Sequence, residues 1–202
     1  MAQRDIPQLH AGIGTLKALA HPDRLNILGN LRVSGPSTAS LLARRFGLNS
    51  GATSYHLRQL EKYGLIKEAA ELGNARERWW RALHETTFYE TAGLEGDALE
   101  AGMAFNQAVL SAHVHMMQRA QEAYRGLDLA WRKASTNSDV VIPLDADAAA
   151  GLTNRIMDLL MEAKAASPPT GVPLSPDTRP VSYVLYAFPH PDAEAPSGDD
   201  PS

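Results

Sequence analysis

A chain of 202 residues, 44% of them hydrophobic, is long enough for one folded domain and a modest extension. It contains no cysteine, which excludes disulfides, thiolate metal sites and cysteine nucleophiles. The net charge is −4, no apolar run approaches the roughly 20 residues that span a bilayer, and the N-terminal region lacks an apolar signal core. We therefore expect a soluble cytoplasmic protein with no membrane segment.

The charge is unevenly distributed along the chain. Between His21 and Leu83 there are ten cationic and five anionic side chains, which give this window a net charge of +5. The rest of the chain must then carry −9. This asymmetry is expected if one basic module contacts phosphate and the remainder does not. Ordinary scatter of surface charge is the alternative explanation.

The N-terminal region predicts two helices after a polar lead at residues 1–8. Apolar residues recur with a helical period from Leu9 to Ala20, which indicates the first helix. Pro22 and Asp23 suit the start of a second helix, because proline is pre-set in φ and an acidic side chain favours the positive end of the helix dipole. Ser34, Gly35 and Pro36 end it.

The stretch from Ser37 to Lys62 predicts two short helices joined by a tight turn. Gly47 can adopt the left-handed conformation that ends a helix, and Asn49 and Ser50 can cap the next one. In that second helix, Thr53, Leu57 and Leu60 recur at helical spacing and form one narrow apolar stripe. We interpret the stretch as a helix-turn-helix with its recognition helix at about residues 50–63.

The face opposite this stripe suits the floor of a DNA major groove. It carries small polar groups and a planar cation, and Arg58 can bond a guanine bidentately while Ser54 and Tyr55 contact bases. Other cations are predicted to contact phosphates or the groove beside them. The predicted DNA-binding residues are Ser50, Gly51, Ser54, Tyr55, Arg58, Lys62, Arg44, Arg45, Arg76 and Arg78.

Two short strands are predicted after the recognition helix. Residues 65–69 and 76–83 have strand length and composition, and Gly73 and Asn74 form a turn pair between them. Together they would form a wing at about residues 71–78, with Arg76 and Arg78 at the minor groove or backbone. A plain solvated hairpin is the alternative. The predicted winged helix-turn-helix DNA-binding domain covers residues 9–83.

A connector at residues 84–95 leads into a predicted long helix at residues 96–134 that is weakened near Gly126. Apolar residues along it step by alternating threes and fours, which is the pattern of a heptad seam with two polar positions. We predict that the seam forms a dimer interface, and packing against the C-terminal helix of the same chain is the alternative. The predicted interface residues are Leu99, Met103, Asn106, Leu110, His113 and Met117.

Residues 135–190 predict an α+β extension. Residues 139–144 and 180–188 are both strand-like, and we expect them to pair with each other on either side of a helix that Asp145 caps. Residues 191–202 are acidic and contain proline, which predicts a disordered tail. The expected fold class is therefore mainly α with small β, comprising a winged helix-turn-helix domain, a long dimerisation helix and a small C-terminal strand-helix-strand unit.

Taken together, residues 15–83 resemble the winged helix-turn-helix of the ArsR-type bacterial transcriptional regulators. The resemblance covers about a third of the chain and rests on residues 16–28, 39–48, 53–66 and 76–80. It implies a homodimeric DNA-binding regulator. It also aligns Ser50, Gly51, Ser54, Tyr55 and Arg58 with the DNA-facing positions of that family.

The sequence departs from this family in the residues that sense metal. Many relatives bind metal through cysteine pairs in the helix before the turn, but residues 37–41 contain no thiol here. Others use histidine and carboxylate ligands on the last helix. Here His113 and His115 lie about 200° apart around a helix, so they cannot chelate one ion from the same face. We therefore predict a non-metal-sensing variant that needs no metal and no cofactor.

The function predicted from these features is sequence-specific transcriptional regulation, with a homodimer bound to a near-palindromic operator. The predicted partners are double-stranded DNA and a second copy of the chain. The alternative is a winged-helix module for protein interaction or small-ligand sensing, in which apolar side chains of the C-terminal region bind an apolar effector. We predict no catalytic residues and no enzymatic activity, because the sequence has no nucleophile elbow, phosphate loop or metal pair.

Overall fold

The computed structural model describes residues 4–73, 77–90 and 92–193. It is mostly helical with two small sheets, which confirms the predicted fold class for the winged helix-turn-helix domain and the long helix. The helices are α1 (Ile13–Leu19), α2 (Pro22–Ser34), α3 (Ala39–Phe46), α4 (Ser50–Lys62), α5 (Gly96–Ala123), α6 (Leu129–Ala134) and α7 (Ala146–Ala166). The strands are β1 (Gln8–His10), β2 (Ser37–Thr38), β3 (Ile66–Glu68), β4 (Trp79–Ala82) and β5 (Thr86–Phe88).

One hydrophobic core joins the first four helices, the wing strands and α5. Each of these five helices turns its apolar side toward this core. Burial of that surface removes it from water and supplies the main free energy of folding. Phe105 of α5 enters the core from outside the helix-turn-helix. The buried members are Leu16, Leu19, Ile27, Leu28, Leu31, Leu42, Leu57, Leu60, Leu65, Ile66, Trp80 and Phe105.

The predicted wing strands form a three-stranded antiparallel sheet with β4 at its centre. β2 pairs with one edge of β4 and β3 with the other. Side chains alternate across a strand, so Trp80 is buried in the core while Trp79 is only half-buried. A short 3₁₀ turn, Ala70–Leu72, follows β3. Part of the predicted turn and Arg76 lie outside the described residues.

The prediction of a helix from Leu9 is wrong at its N-terminal end. Gln8–His10 forms β1, which pairs in parallel with β5, and α1 begins only at Ile13. Gly12 has an extended backbone and precedes the helix as its N-cap residue. A strand before it is favoured because β5, at Thr86–Phe88, provides the backbone partner. The predicted polar lead and connector therefore each contribute to a strand.

The long helix breaks where the sequence predicts. α5 ends at Ala123, a 3₁₀ turn covers Tyr124–Gly126, and α6 follows with Asp128 as its N-cap residue. α5 packs against α1 and α2. None of the helices in the described ranges is both long enough and apolar enough to cross a membrane.

The prediction of a C-terminal strand-helix-strand unit is wrong in its strands. The helix forms as expected, since the Asp145 side chain accepts a hydrogen bond from the backbone N–H of Ala148. Residues 139–144 and 180–188 form no strand, and among the described residues neither segment pairs with the other. A β-prone segment becomes a strand only when another strand accepts its hydrogen bonds. From residue 194 onward, the predicted tail lies outside the described ranges.

Glu85 connects the N-terminal segment to the C-terminal end of α7. Arg4 donates two hydrogen bonds to the Glu85 carboxylate, at 2.7 and 2.9 Å, and the Lys164 Nζ lies 2.8 Å from the same carboxylate. Burial by itself raises the pKa of Glu85. The hydrogen bonds and positive charges of Arg4 and Lys164 lower it by more than burial raises it, so the pKa lies below its ordinary value. The cluster holds the C-terminal end of α7 beside β5.

The turn before α4 generates a first prediction. The Asn49 side chain accepts a hydrogen bond from the backbone N–H of Ala52 at 2.7 Å. Asn49→Ala removes this cap and should lower the free energy of unfolding by about 1 kcal/mol in urea titrations. Asn49→Asp keeps an oxygen at the same place and serves as the control. Equal losses in both variants would contradict the capping role.

Candidate nucleic-acid interface

The predicted recognition helix is α4, and its apolar stripe is seated in the core. Thr53, Leu57 and Leu60 are fully buried, as the helical spacing predicts. Gly47 has φ 66° and ψ 27°, which is the left-handed conformation predicted for the end of α3. α4 itself begins at Ser50 and ends at Lys62, one residue before the predicted end.

The other face of α4 is open to solvent. The Tyr55 side chain is 53% exposed, Arg58 and Lys62 are exposed, and Ser54 is half-buried. Ser50 and Gly51 are exposed at the start of the helix. The structure thus brings five of the predicted α4 residues, Gly51, Ser54, Tyr55, Arg58 and Lys62, to the side of the helix that faces away from the buried stripe, with Ser50 at the helix start. This face provides hydroxyl groups, a phenol and two cations without crossing the core.

A groove runs between α4, the start of α3 and β4. Ser54 and Arg58 line its α4 side, and Arg78 lines its wing side. The Arg78 Nε lies 3.7 Å from a carboxylate oxygen of Glu68, an exposed and weak ion pair. The two predicted DNA-binding arginines therefore border the same groove. Its full lining is Thr38, Ala39, Ser40, Ser50, Ser54, Leu57, Arg58, Glu77, Arg78 and Trp80.

Three of the predicted DNA-contacting arginines are unengaged. Arg44 and Arg45 are exposed at the C-terminal end of α3, and Arg58 is exposed on α4. Within the part of the chain that the structure describes, none of the three has a hydrogen-bond or ion-pair partner. The Lys62 Nζ lies 5.7 Å from the centre of the Tyr63 ring. These cations remain available for an anionic partner. Arg76 falls outside the described residues.

Other cations of the basic window are structural. Arg32 is largely buried and donates hydrogen bonds to the carbonyl oxygen of His84, at 2.9 Å, and to the Thr87 hydroxyl, at 2.8 Å. Burial lowers the pKa of Arg32 to about 10. Arg24 donates to the Ala18 carbonyl, and Arg81 pairs with Glu71. The net charge of +5 counted for residues 21–83 therefore overstates the positive charge that faces solvent.

The structure also brings together three titratable residues that the sequence analysis did not connect. His21 caps α2, its Nδ1 accepting a hydrogen bond from the backbone N–H of Asp23 at 3.2 Å. The His56 Nε2, on α4, lies 3.5 Å from a carboxylate oxygen of Asp23. One ligand atom from each residue lies within 4.8 Å of the others, so this set could hold a cation. The prediction of no metal response stays a prediction.

His56, on the edge of the α4 stripe, is buried with 6% of its surface exposed. Burial lowers the pKa of His56. The nearby charges of His21 and Arg24 lower it further, whereas the Asp23 carboxylate raises it. The neutral ring is therefore favoured at neutral pH. Its Nδ1 is buried without a hydrogen-bond partner among the described residues. A histidine cap followed by Pro22 and Asp23 was the sequence feature that could have indicated this cluster.

The predicted dimer-interface residues lie along α5. Leu99, Met103, Leu110 and Met117 are 37%, 56%, 42% and 47% exposed. The two polar positions are engaged within the chain. Asn106 accepts a hydrogen bond from the Tyr89 hydroxyl, and the His113 Nδ1 lies 2.8 Å from the Tyr186 hydroxyl. The apolar seam of α5 is therefore largely uncovered in the single chain.

Comparison with known proteins identifies a helix-turn-helix domain. A family described as "Helix-turn-helix domain" matches residues 19–69. The chain is also similar to the HTH-type transcriptional regulator YgaV of Escherichia coli (strain K12), with 47% identity over 51 residues. The alignment covers 25% of this chain and about half, 52%, of that relative. The matched region contains α2, α3, α4 and β3, so this chain carries a helix-turn-helix domain.

The His56 environment predicts a pH dependence of stability. Unfolding restores the ordinary pKa of His56, so the unfolded chain binds more protons just below that pKa and stability falls as the pH decreases. His56→Gln should therefore lose less stability than the wild type between pH 7.5 and 5.5 in urea titrations. His10→Gln, at an exposed position, is the control and should follow the wild type. Identical pH profiles for His56→Gln and the wild type would contradict this assignment.

Proposed function

We propose that this chain is a sequence-specific, DNA-binding transcriptional regulator of the ArsR type that acts as a homodimer. The observation that carries the proposal is the open face of α4. Its buried stripe fixes the helix in the core, while Ser54, Tyr55 and Arg58 project from the other side. A helix held in this way can enter a major groove without any change in the core.

Base recognition is assigned to the exposed middle of α4. The Arg58 guanidinium has no hydrogen-bond or ion-pair partner among the described residues, and it can donate two parallel hydrogen bonds to guanine O6 and N7. Ser54 and Tyr55 can donate to or accept from neighbouring base edges. Ser50 and Gly51 add little bulk at the start of the helix, which allows the backbone to approach the DNA closely.

Backbone recognition is assigned to cations that flank α4. Arg44 and Arg45 lie at the end of α3, Lys62 lies at the end of α4, and Arg78 lies across the groove in the wing. Contacts of this kind set the position and orientation of a protein on DNA but carry little sequence information. They release condensed counterions, so binding should weaken steeply as salt increases.

Dimerisation is assigned to α5. Four apolar side chains of its predicted seam are between 37% and 56% exposed, and a second α5 could cover them. A two-fold dimer would present two copies of α4 to half-sites one helical turn apart, which explains why we expect a near-palindromic operator. The relative named an HTH-type transcriptional regulator supports this class of function for the matched half of its length. We expect a non-enzymatic protein that acts in the cytoplasm.

The assignment of Arg58 can be tested on an operator selected from genomic DNA. Arg58→Ala should weaken binding to that operator by about 1–3 kcal/mol and relax the preference at one base position. Arg119→Ala, which removes an exposed arginine from the side of α5 away from its apolar seam, is the matched control and should bind as the wild type does. Unchanged operator affinity for Arg58→Ala would mean that the register assigned to α4 is wrong.

The salt dependence of binding separates this proposal from a role in protein interaction. If the wing contacts phosphate, Arg78→Ala should weaken binding to all duplexes alike and reduce the slope of log affinity against log salt by about one. Fluorescence anisotropy titrations at several salt concentrations measure both quantities. A flat salt dependence for the wild type would instead favour a winged helix that binds another protein.

A further inference from the structure

The C-terminal arm, residues 139–188, exposes several large apolar side chains. In its first extended segment, Val140 and Val141 are 78% and 71% exposed. In its second, Tyr183 and Phe188 are 72% and 69% exposed. The helix between them, α7, has no buried residue, and its Leu159 is 67% exposed. Large apolar side chains exposed in this number within one segment are typical of an interface rather than of a monomer.

The total accessible surface supports this reading. The chain exposes 14453 Å², whereas a folded monomer of 21.9 kDa is expected to expose about 9,300 Å². Even full exposure of the residues outside the described ranges would account for only about 2,500 Å², at the unfolded value of about 1.45 Å² per dalton. A further 2,500 Å² or so per chain remains, which is at the upper end of the roughly 1,000–2,500 Å² that an obligate homodimer buries per subunit.

We propose that this arm is a reciprocal dimerisation element, in which the arms of two copies of the chain close on each other and on the α5 seams. The inference rests on the homodimer of the proposed function and names the part of the chain that completes it. The partner is a second copy because the arm adjoins the α5 seam that the proposed homodimer uses. The His113 Nδ1 on α5 contacts the Tyr186 hydroxyl in the arm at 2.8 Å.

The chemistry of the arm also favours a second copy. Residues 140–144 and 180–188 contain no Asp, Glu, Lys or Arg, so the complement they require is equally apolar and uncharged. A two-fold axis brings such a segment from the other copy beside each arm. Among the described residues, neither segment makes a backbone hydrogen bond to a neighbouring strand, so a strand from the partner can satisfy these groups.

The arm is positioned for this role by an anchor at one end of α7. Lys164 contacts Glu85, and the backbone N–H of Arg4 donates to the Ala165 carbonyl at 3.2 Å. The remainder of α7 is free of such contacts within the described chain, and its Leu159 stays exposed to a partner.

The test places a charge on exposed apolar positions of the full-length chain. Tyr183→Glu and Leu159→Glu should fold normally by circular dichroism, because both side chains are exposed in the single chain. In sedimentation over a concentration series, each should weaken the dimer at least about 100-fold, since a carboxylate would be buried without a partner. Asn154→Glu, at an exposed polar position of α7, is the matched control and should dimerise as the wild type does.

The outcomes separate this inference from the proposed function. If Tyr183→Glu and Leu159→Glu dimerise with wild-type affinity, the inference is overturned. If Met103→Glu on α5 then abolishes the dimer, the homodimer of the proposed function stands and forms through α5 without the arm. A wild-type chain that sediments as a monomer at every concentration would overturn it too, and would leave the surface to another protein or to an apolar ligand. If the arm variants become monomeric but the wild type binds no duplex, the inference stands and the proposed function fails.

Discussion

The burial of one narrow stripe on α4 is the interaction on which the rest of the structure depends. Thr53, Leu57 and Leu60 are the points at which this helix joins the core, and all three are fully buried. Because the stripe is narrow, most of the helix circumference remains open. Leu57 also lines the groove beside Arg58, so the same side chain belongs to the core and borders the candidate interface. The orientation of the DNA-facing residues is therefore determined by core packing.

The same core connects the recognition helix to the long helix. Phe105 of α5 is buried in it, and the Tyr89 ring meets Phe105 edge-on with centroids 4.7 Å apart. Interiors packed at crystal-like density deform little, so the spacing between α4 and the α5 seam is fixed within one chain. In a dimer formed through α5, this spacing would set the distance between the two copies of α4.

Features determined by nearby residues could be predicted from the sequence. Gly47 ends a helix, Asn49 and Asp145 begin one, and the stripe on α4 follows from its own period, because each depends on residues only a few positions away. The pairing of β1 with β5 joins segments far apart in the chain and leaves no local pattern. The contact between His56 and Asp23 has the same origin. Residues 139–144 and 180–188 were wrongly predicted as paired strands, since β-propensity indicates an extended backbone but does not identify its partner.

Glu85 has a consequence for any shortened form of this protein. One carboxylate faces Arg4 near the start of the chain and Lys164 near the end of α7. Removing residues 1–4, or the residues from Lys164 onward, would leave the half-buried Glu85 carboxylate with only one of its two cations. Arg4 and Lys164 therefore belong to the same folded unit as β5. A fragment cut to the boundaries of the helix-turn-helix would lose their ion pairs with Glu85, which lie outside those boundaries.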